Sequence, residues 1–256
     1  MVIKVLKIGK KLLLVLACAL IVALSFLTHK TKAYAVYTGG STRKLPIYSV
    51  ERSDNKISIS FDCAYGADKT LSLLDTLDTY GVKCTFFCVE FWALKYPDMV
   101  KEIVRRGHEI GTHSKTHPKM SKLSREEIVA ELTSSISEIE KLTDKKVELF
   151  RAPFGDYDDL LIETAGDLGL YTIQWDVDSI DLKDVTVNYL VNRIVTKTKS
   201  GSIILCHNNG ENTHKALPYV LSNLQEKGFE FVKISELIYK NNYKINSFGT
   251  QIRTDK

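Results

Sequence analysis

Ile57-Ser58-Ile59-Ser60-Phe61-Asp62 is the stretch whose reading decides the fold: a short strand-like run, rich in β-branched residues, closed by an acid. Thr70–Tyr80 follows, with Leu71, Leu74 and Leu77 on one stripe and Gly81 just beyond, a helix ended by a C′ glycine. A second strand-like run, Cys84–Val89, comes next. The alternation continues outward. Similar runs recur at His108–Gly111, Val147–Phe150, Tyr171–Trp175, Ser202–Cys206 and Glu230–Val232. Between them, Ser124 with Glu127 makes a capping box ahead of Ile128, Leu132, Ile136 and Ile139 at helical spacing. Further helices are read at Asp158–Leu168, ending at Gly169, and at Lys215–Lys227, reaching Gly228. Seven strands alternating with helices predict an α/β fold, a distorted (β/α) barrel of about seven parallel strands. An open doubly wound sheet uses the same pattern. The domain is expected over 55–240, after a lead-in of 36–54 and before a polar, frayed tail of 241–256.

The 256 residues suit one such domain plus an N-terminal extension. The formal charge of +4 is misleading, because residues 1–35 hold six lysines and no acid. Without them 29 basic residues face 31 acidic ones, a balance of about −2 that gives no sign of a nucleic-acid binder. Four lysines precede the apolar stretch Leu12–Leu27, and Ala33-Tyr34-Ala35 offers an A-x-A cleavage pattern. Residues 1–35 are therefore expected to be a signal peptide or a membrane anchor. Either leaves the folded domain extracytoplasmic, secreted or tethered to the cell membrane. Of the four cysteines beyond this segment, Cys84 and Cys88 lie about 13 Å apart along an extended chain. That is too far to bridge, so both are expected to be buried free thiols.

The polar residues that close the strand-like runs carry the chemistry. In a (β/α) barrel the C-terminal strand ends converge on one face. His113 and His117, four apart in Gly107-His108-Glu109-Ile110-Gly111-Thr112-His113-Ser114-Lys115-Thr116-His117, suit two imidazole ligands on one zinc-type ion, from a helical turn or a tight loop. Asp62 is a candidate base or ligand, and Arg151 before Pro153 is a fixed cation able to tune a carboxylate. Asp181 and His207 form a second pair in which the carboxylate raises the imidazole pKa and makes it a usable acid. Each has an ordinary structural alternative: surface histidines, a turn former, an ion pair, a satisfied strand-end His. Their joint placement at strand ends favours a metal-assisted hydrolase.

In order and content these segments resemble the polysaccharide deacetylases with a NodB-homology domain, carbohydrate esterase family 4, over roughly residues 55–238. The segment Phe61-Asp62-Cys63-Ala64-Tyr65-Gly66, with Leu45–Glu51, is most similar to the sporulation-associated branch. The resemblance implies Asp62 as catalytic base, Arg151 as the residue orienting it, and His207 with Asp181 as the acid pair. It further implies His113 and His117 as ligands of a divalent metal, zinc with cobalt or manganese possible. Leu205 is implied to line the substrate pocket, and Phe154 to bind substrate, a nearby backbone N–H facing the oxyanion. The implied reaction removes N-acetyl groups from amino sugars of a cell-wall glycan, peptidoglycan or chitin-like, with spore cortex one candidate. A monomer is expected, without nucleic acid, meeting the membrane through its N-terminal segment if that is uncleaved. Two positions depart from the family pattern. Cys63 stands where a third metal ligand, usually Asp, is found, which leaves a Cys63 thiolate, Asp68 or water for that role, or a buried Cys beside a two-histidine site. Leu182 stands where a groove-lining Trp is common. These departures keep open a weak or inactive glycan-binding relative, and a metal-dependent amidase acting on non-sugar amides is the other enzyme reading.

Overall fold

The structure, a computed structural model, describes residues 43–255. The expected signal or anchor, residues 1–35, lies outside them. Among the described residues no helix is long and apolar enough to cross a membrane. The strands are β1 (Ser49–Val50), β2 (Lys56–Cys63), β3 (Thr85–Cys88), β4 (Glu109–Thr112), β5 (Leu149–Phe150), β6 (Tyr171–Thr172), β7 (Val177–Asp178), β8 (Ile203–His207), β9 (Glu230–Phe231), β10 (Tyr243–Ile245) and β11 (Thr250–Arg253). The helices are α1 (Thr70–Thr79), α2 (Glu90–Lys95), α3 (Pro97–Arg105), α4 (Arg125–Thr143), α5 (Asp159–Asp167), α6 (Val187–Lys197), α7 (Thr213–Glu226) and α8 (Ile234–Leu237).

Seven strands run parallel in the order β6-β5-β4-β3-β2-β8-β7 and curl into the distorted (β/α) barrel. The predicted count of seven holds with a different membership. Glu230–Val232 contributes only β9, which pairs with the first two residues of β2, while Val177–Asp178, too short to read as a strand, is the outermost member. The predicted helices all form, and the Ser124–Glu127 capping box is made in both directions. Alternation fails once, between β6 and β7, where no helix intervenes. That seam is bridged by the lead-in segment. Ile47 pairs with Ile173, and Ser49 pairs with Ser202.

The tail is a correction. Instead of fraying, residues 243–253 form the hairpin β10–β11, and β11 pairs in parallel with β1. Its polarity is misleading because Gln251 is fully buried and satisfied: its amide accepts from Tyr239 N and donates to Tyr239 O. Asn246 Oδ1 closes the turn by accepting from the Phe248 and Thr250 amides. Residues 44–54 and 243–253 therefore belong to the folded domain.

The two-residue period of the central strands sorts the side chains. On β2, Ile57, Ile59, Phe61 and Cys63 join the large core cluster together with leucines of α1 and α7. Ser58, Ser60 and Asp62 face the other way. Phe86 and Cys88 of β3 and Ile204 and Cys206 of β8 also enter that cluster, whereas Phe87 and Ile203 join a second, smaller one with Ile47, Leu149 and Ile173. All four cysteines described are free and buried, as expected for Cys84 and Cys88. Gly111 of β4 is required by packing: a Cβ there would lie 2.7 Å from the Phe87 ring and 2.8 Å from the Leu149 carbonyl.

Candidate active site

The C-terminal strand ends enclose a cleft of about 390 Å³. Asp62, His113, His117, Phe154, Leu205 and His207, all singled out in the sequence, line it. Arg151 and Asp181 lie behind them, 0% and 2% exposed. Asp62 and His207 are register neighbours on β2 and β8, so the two strands deliver a carboxylate and an imidazole side by side.

Asp62 and Arg151 form a buried pair, Nη1 donating to Oδ1 at 2.7 Å. A second guanidinium nitrogen donates to the Gln174 carbonyl at 3.2 Å, and the group lies over the Phe87 ring at 4.1 Å. Burial alone would raise the Asp62 pKa; the Arg151 charge and hydrogen bond, with the neighbouring imidazoles, outweigh it and hold the carboxyl below its ordinary value. Arg151 is pushed down by burial and supported by Asp62.

His113 and His117 leave β4 in a tight loop, not a helical turn, their rings 4.9 Å apart. Ser114 and His117 both adopt left-handed backbone, φ 73° and 59°. The loop is held by α4, whose Glu131 carboxylate accepts from the Lys115 and Thr116 amides and the Thr116 hydroxyl at 2.9, 2.8 and 2.6 Å. The His117 amide donates to Ser114 Oγ at 3.0 Å. Phe154, φ 61°, and Ile180, φ 56°, line the same cleft in the same strained region.

A divalent metal fits the two histidines. His113 Nδ1–H donates to the Arg151 carbonyl at 2.8 Å, which fixes the tautomer and leaves Nε2 as a lone pair, 3.6 Å from Asp62 Oδ2. Burial lowers the pKa of both rings, that of His117 to about 4, so both are neutral at pH 7, the form in which an imidazole can bind a metal. Cys63 does not join them. It faces the large core cluster, its thiol directed to the Phe61 carbonyl and its pKa raised well above normal by burial. Asp68 is exposed and does not line the cleft. Among the described residues no three His, Cys, Asp or Glu side chains make a metal cage. His113 and His117 are the pair of imidazoles in the cleft that could hold such an ion.

His207 is the counterpart. Its Nδ1–H donates to Asp181 Oδ1 at 2.7 Å, while its own amide and the Thr213 hydroxyl donate to Oδ2 at 2.8 and 2.6 Å. A Cβ at Gly210 would lie 2.1 Å from the Thr213 hydroxyl and 2.8 Å from Asp181 Oδ2, so this network closes only around a glycine. Burial would lower the His207 pKa; the Asp181 hydrogen bond and charge, helped by Asp62, outweigh it and raise it.

The cleft also contains residues that the sequence reading passed over: Tyr65, Trp175, Asp178, Lys183 and Asn209. The available signal for Trp175 was its position at the end of a strand-like run, shared with the residues that were selected. Leu182 stands on the rim, 59% exposed.

A polysaccharide deacetylase family model matches residues 49–173. A peptidoglycan-N-acetylglucosamine deacetylase of Bacillus cereus is 34% identical over 200 residues, covering 76% of this chain and 93% of its own. Among solved structures, BA3943 of Bacillus anthracis, described as a family 4 carbohydrate esterase pseudoenzyme, is 33% identical with a TM-score of 0.73, covering 75% of this chain and 68% of its own. The Bc1960 peptidoglycan N-acetylglucosamine deacetylase, in complex with an N-hydroxybenzamide, is 26% identical with a TM-score of 0.73 over 75% of this chain and 92% of its own. The chain belongs to the polysaccharide deacetylase family, the NodB-homology hydrolases of carbohydrate esterase family 4.

Proposed function

We propose that this protein removes N-acetyl groups from amino sugars of peptidoglycan outside the cell membrane, with spore cortex among the candidate substrates. The observation that carries the reading is the adjacency of Asp62 and His207 on β2 and β8, each backed by an opposite partner: Arg151 behind the carboxylate, Asp181 behind the imidazole. A cleft built only to bind glycan has no use for a base and an acid held side by side in opposed charge states. That pairing favours catalysis over the inactive glycan-binding reading.

Asp62, kept ionised by Arg151, accepts the proton of the attacking water. As the water oxygen bonds to the acetyl carbonyl carbon, His207 in its protonated form gives its proton to the amide nitrogen. The carbon–nitrogen bond then breaks, releasing acetate and the free amine. Phe154 and Leu205 shape the walls against the sugar and the acetyl methyl. His113 and His117 would hold the divalent cation, zinc first and cobalt or manganese as substitutes, and when bound it supplies Lewis-acid polarisation of the carbonyl. The glycan is reached through export by residues 1–35, cleaved or retained as an anchor.

Acetate release from peptidoglycan by the full chain, with Zn²⁺ added, tests this. Release is expected to stop with a chelator, return with metal, and fall at least about 100-fold in His113→Ala. No release from the zinc-loaded chain on peptidoglycan or chitooligosaccharides would overturn the hydrolase and leave a glycan-binding protein.

A further inference from the structure

We propose that Tyr65 and Phe91 form a stacking platform for a sugar residue neighbouring the one whose acetyl group enters the catalytic cleft. The proposal rests on the glycan reading above and extends it past the reacting sugar. Aromatic side chains are carried just past the C-terminal ends of four strands that are consecutive in the sheet. Phe154 follows β5, His117 follows β4, Phe91 follows β3 and Tyr65 follows β2. Their rings form an unbroken series: Phe154 to His117 at 4.6 Å, His117 to Tyr65 at 6.3 Å, Tyr65 to Phe91 at 6.0 Å. The series starts inside the cleft, which Phe154, His117 and Tyr65 line, and ends outside it at Phe91.

Tyr65 and Phe91 are 62% and 39% exposed, and Leu94, one helical turn beyond Phe91 on α2, is exposed as well. Contiguous exposed apolar side chains beside a cleft are disfavoured in water unless something covers them. Continuity with the cleft identifies the cover, since Tyr65 belongs both to the cleft wall and to the pair. A glycan strand leaving the cleft would pass over them, its apolar ring C–H faces against the aromatic faces. Leu182, on the loop after β7, offers no such face, whereas the exposed Tyr65–Phe91 pair lies on the β2–β3 side.

Calorimetric titration of the full chain with chitotetraose tests the platform without requiring turnover. Tyr65→Ala and Phe91→Ala are each expected to weaken binding about 3–10-fold. Phe91→Tyr, which keeps a flat ring, is expected to restore it, with melting temperature checked in parallel to confirm folding. Equal affinity in wild type and both alanine variants, or no measurable chitotetraose binding by wild type, overturns the platform. An acetate-release assay separates the two ideas. Acetate release with a KM for chitotetraose unmoved by Phe91→Ala sinks the platform and leaves the deacetylase standing. Aromatic-dependent binding without release from either chitotetraose or peptidoglycan upholds the platform and sinks the deacetylase.

Discussion

Two imidazoles border the same cleft, each beside a carboxylate, and the surroundings shift their pKa values in opposite directions. His113 lies 3.6 Å from Asp62, yet its pKa is lowered; His207 lies 2.7 Å from Asp181 and its pKa is raised. The difference is in burial and in what each ring bonds directly. Burial favours the neutral form of His113, whose Nδ1–H is given to the Arg151 carbonyl while the Asp62 charge beside it is already paired with Arg151. Asp181 accepts from an amide, a hydroxyl and His207 itself, with no other cation bonded to it among the described residues, so its charge acts on the imidazole. A His–Asp pair is thus not a unit of function. Burial and the directness of the hydrogen bond decide which way the imidazole pKa moves.

Removing Asp62 should break the first side hardest. In Asp62→Asn, acetate release is expected to fall by on the order of 10²–10⁴. Stability should drop as well, by up to about 3–5 kcal/mol, because fully buried Arg151 loses its counter-charge. The Asp62 pKa is lowered on folding, so its contribution is present above the unfolded value near 4 and is lost as pH falls through the folded one. Denaturant titration at pH 7 and again at pH 3 should therefore show the gap between wild type and variant shrinking in acid. A gap of the same size at both pH values would mean that the pair does not hold the carboxylate's charge.

The second side breaks through pH. Asp181→Asn removes the hydrogen bond and charge that hold the His207 pKa up and leaves the burial that lowers it. Its rate should fall roughly 10–100-fold at neutral pH, with the alkaline limb of the pH–rate profile displaced toward acid. For stability the sign is opposite to that of Asp62. A raised imidazole pKa contributes below about 6.5 and is lost as pH rises through the folded value, so the destabilisation by Asp181→Asn should narrow in alkali. An unmoved alkaline limb would remove His207 from the role of acid.

Both sides were legible in the sequence for the same reason. β2 and β8 are long enough for their polar residues to stand out at the strand end, and barrel topology then brings the ends together. The same period of two explains why Cys63 is no ligand. One residue past Asp62 on a strand is the opposite face, and there Cys63 meets α1 and α7 rather than the cleft. Less visible were features made by tertiary contact. Nothing local marks Glu131 as the clamp of the His113–His117 loop, since its three hydrogen bonds cross to residues 15 and 16 positions earlier. The hairpin of residues 243–253 was hidden by its polarity, because what buries Gln251 is its fit to the Tyr239 peptide. β7, two residues long, carries no periodicity at all.

The smallest expected effect sharpens the contrast between the two rims of the cleft. Leu182 occupies the β7 side, exposed and preceding the Thr186 cap of α6, where a larger flat side chain meets open space. Leu182→Trp should lower KM for a glycan oligomer about 2–5-fold with kcat little changed, since the added ring binds sugar in ground and transition states alike. Combining it with Phe91→Ala makes the comparison quantitative. Rings on opposite rims that stack on different sugars contribute independently, so the two changes in binding free energy should add to within about 0.5 kcal/mol. A gain from the tryptophan that appears only when Phe91 is absent would mean that both rings compete for one sugar. The strand would then have to turn over the β7 rim, and the β2–β3 side would lose its claim to be the path of the glycan.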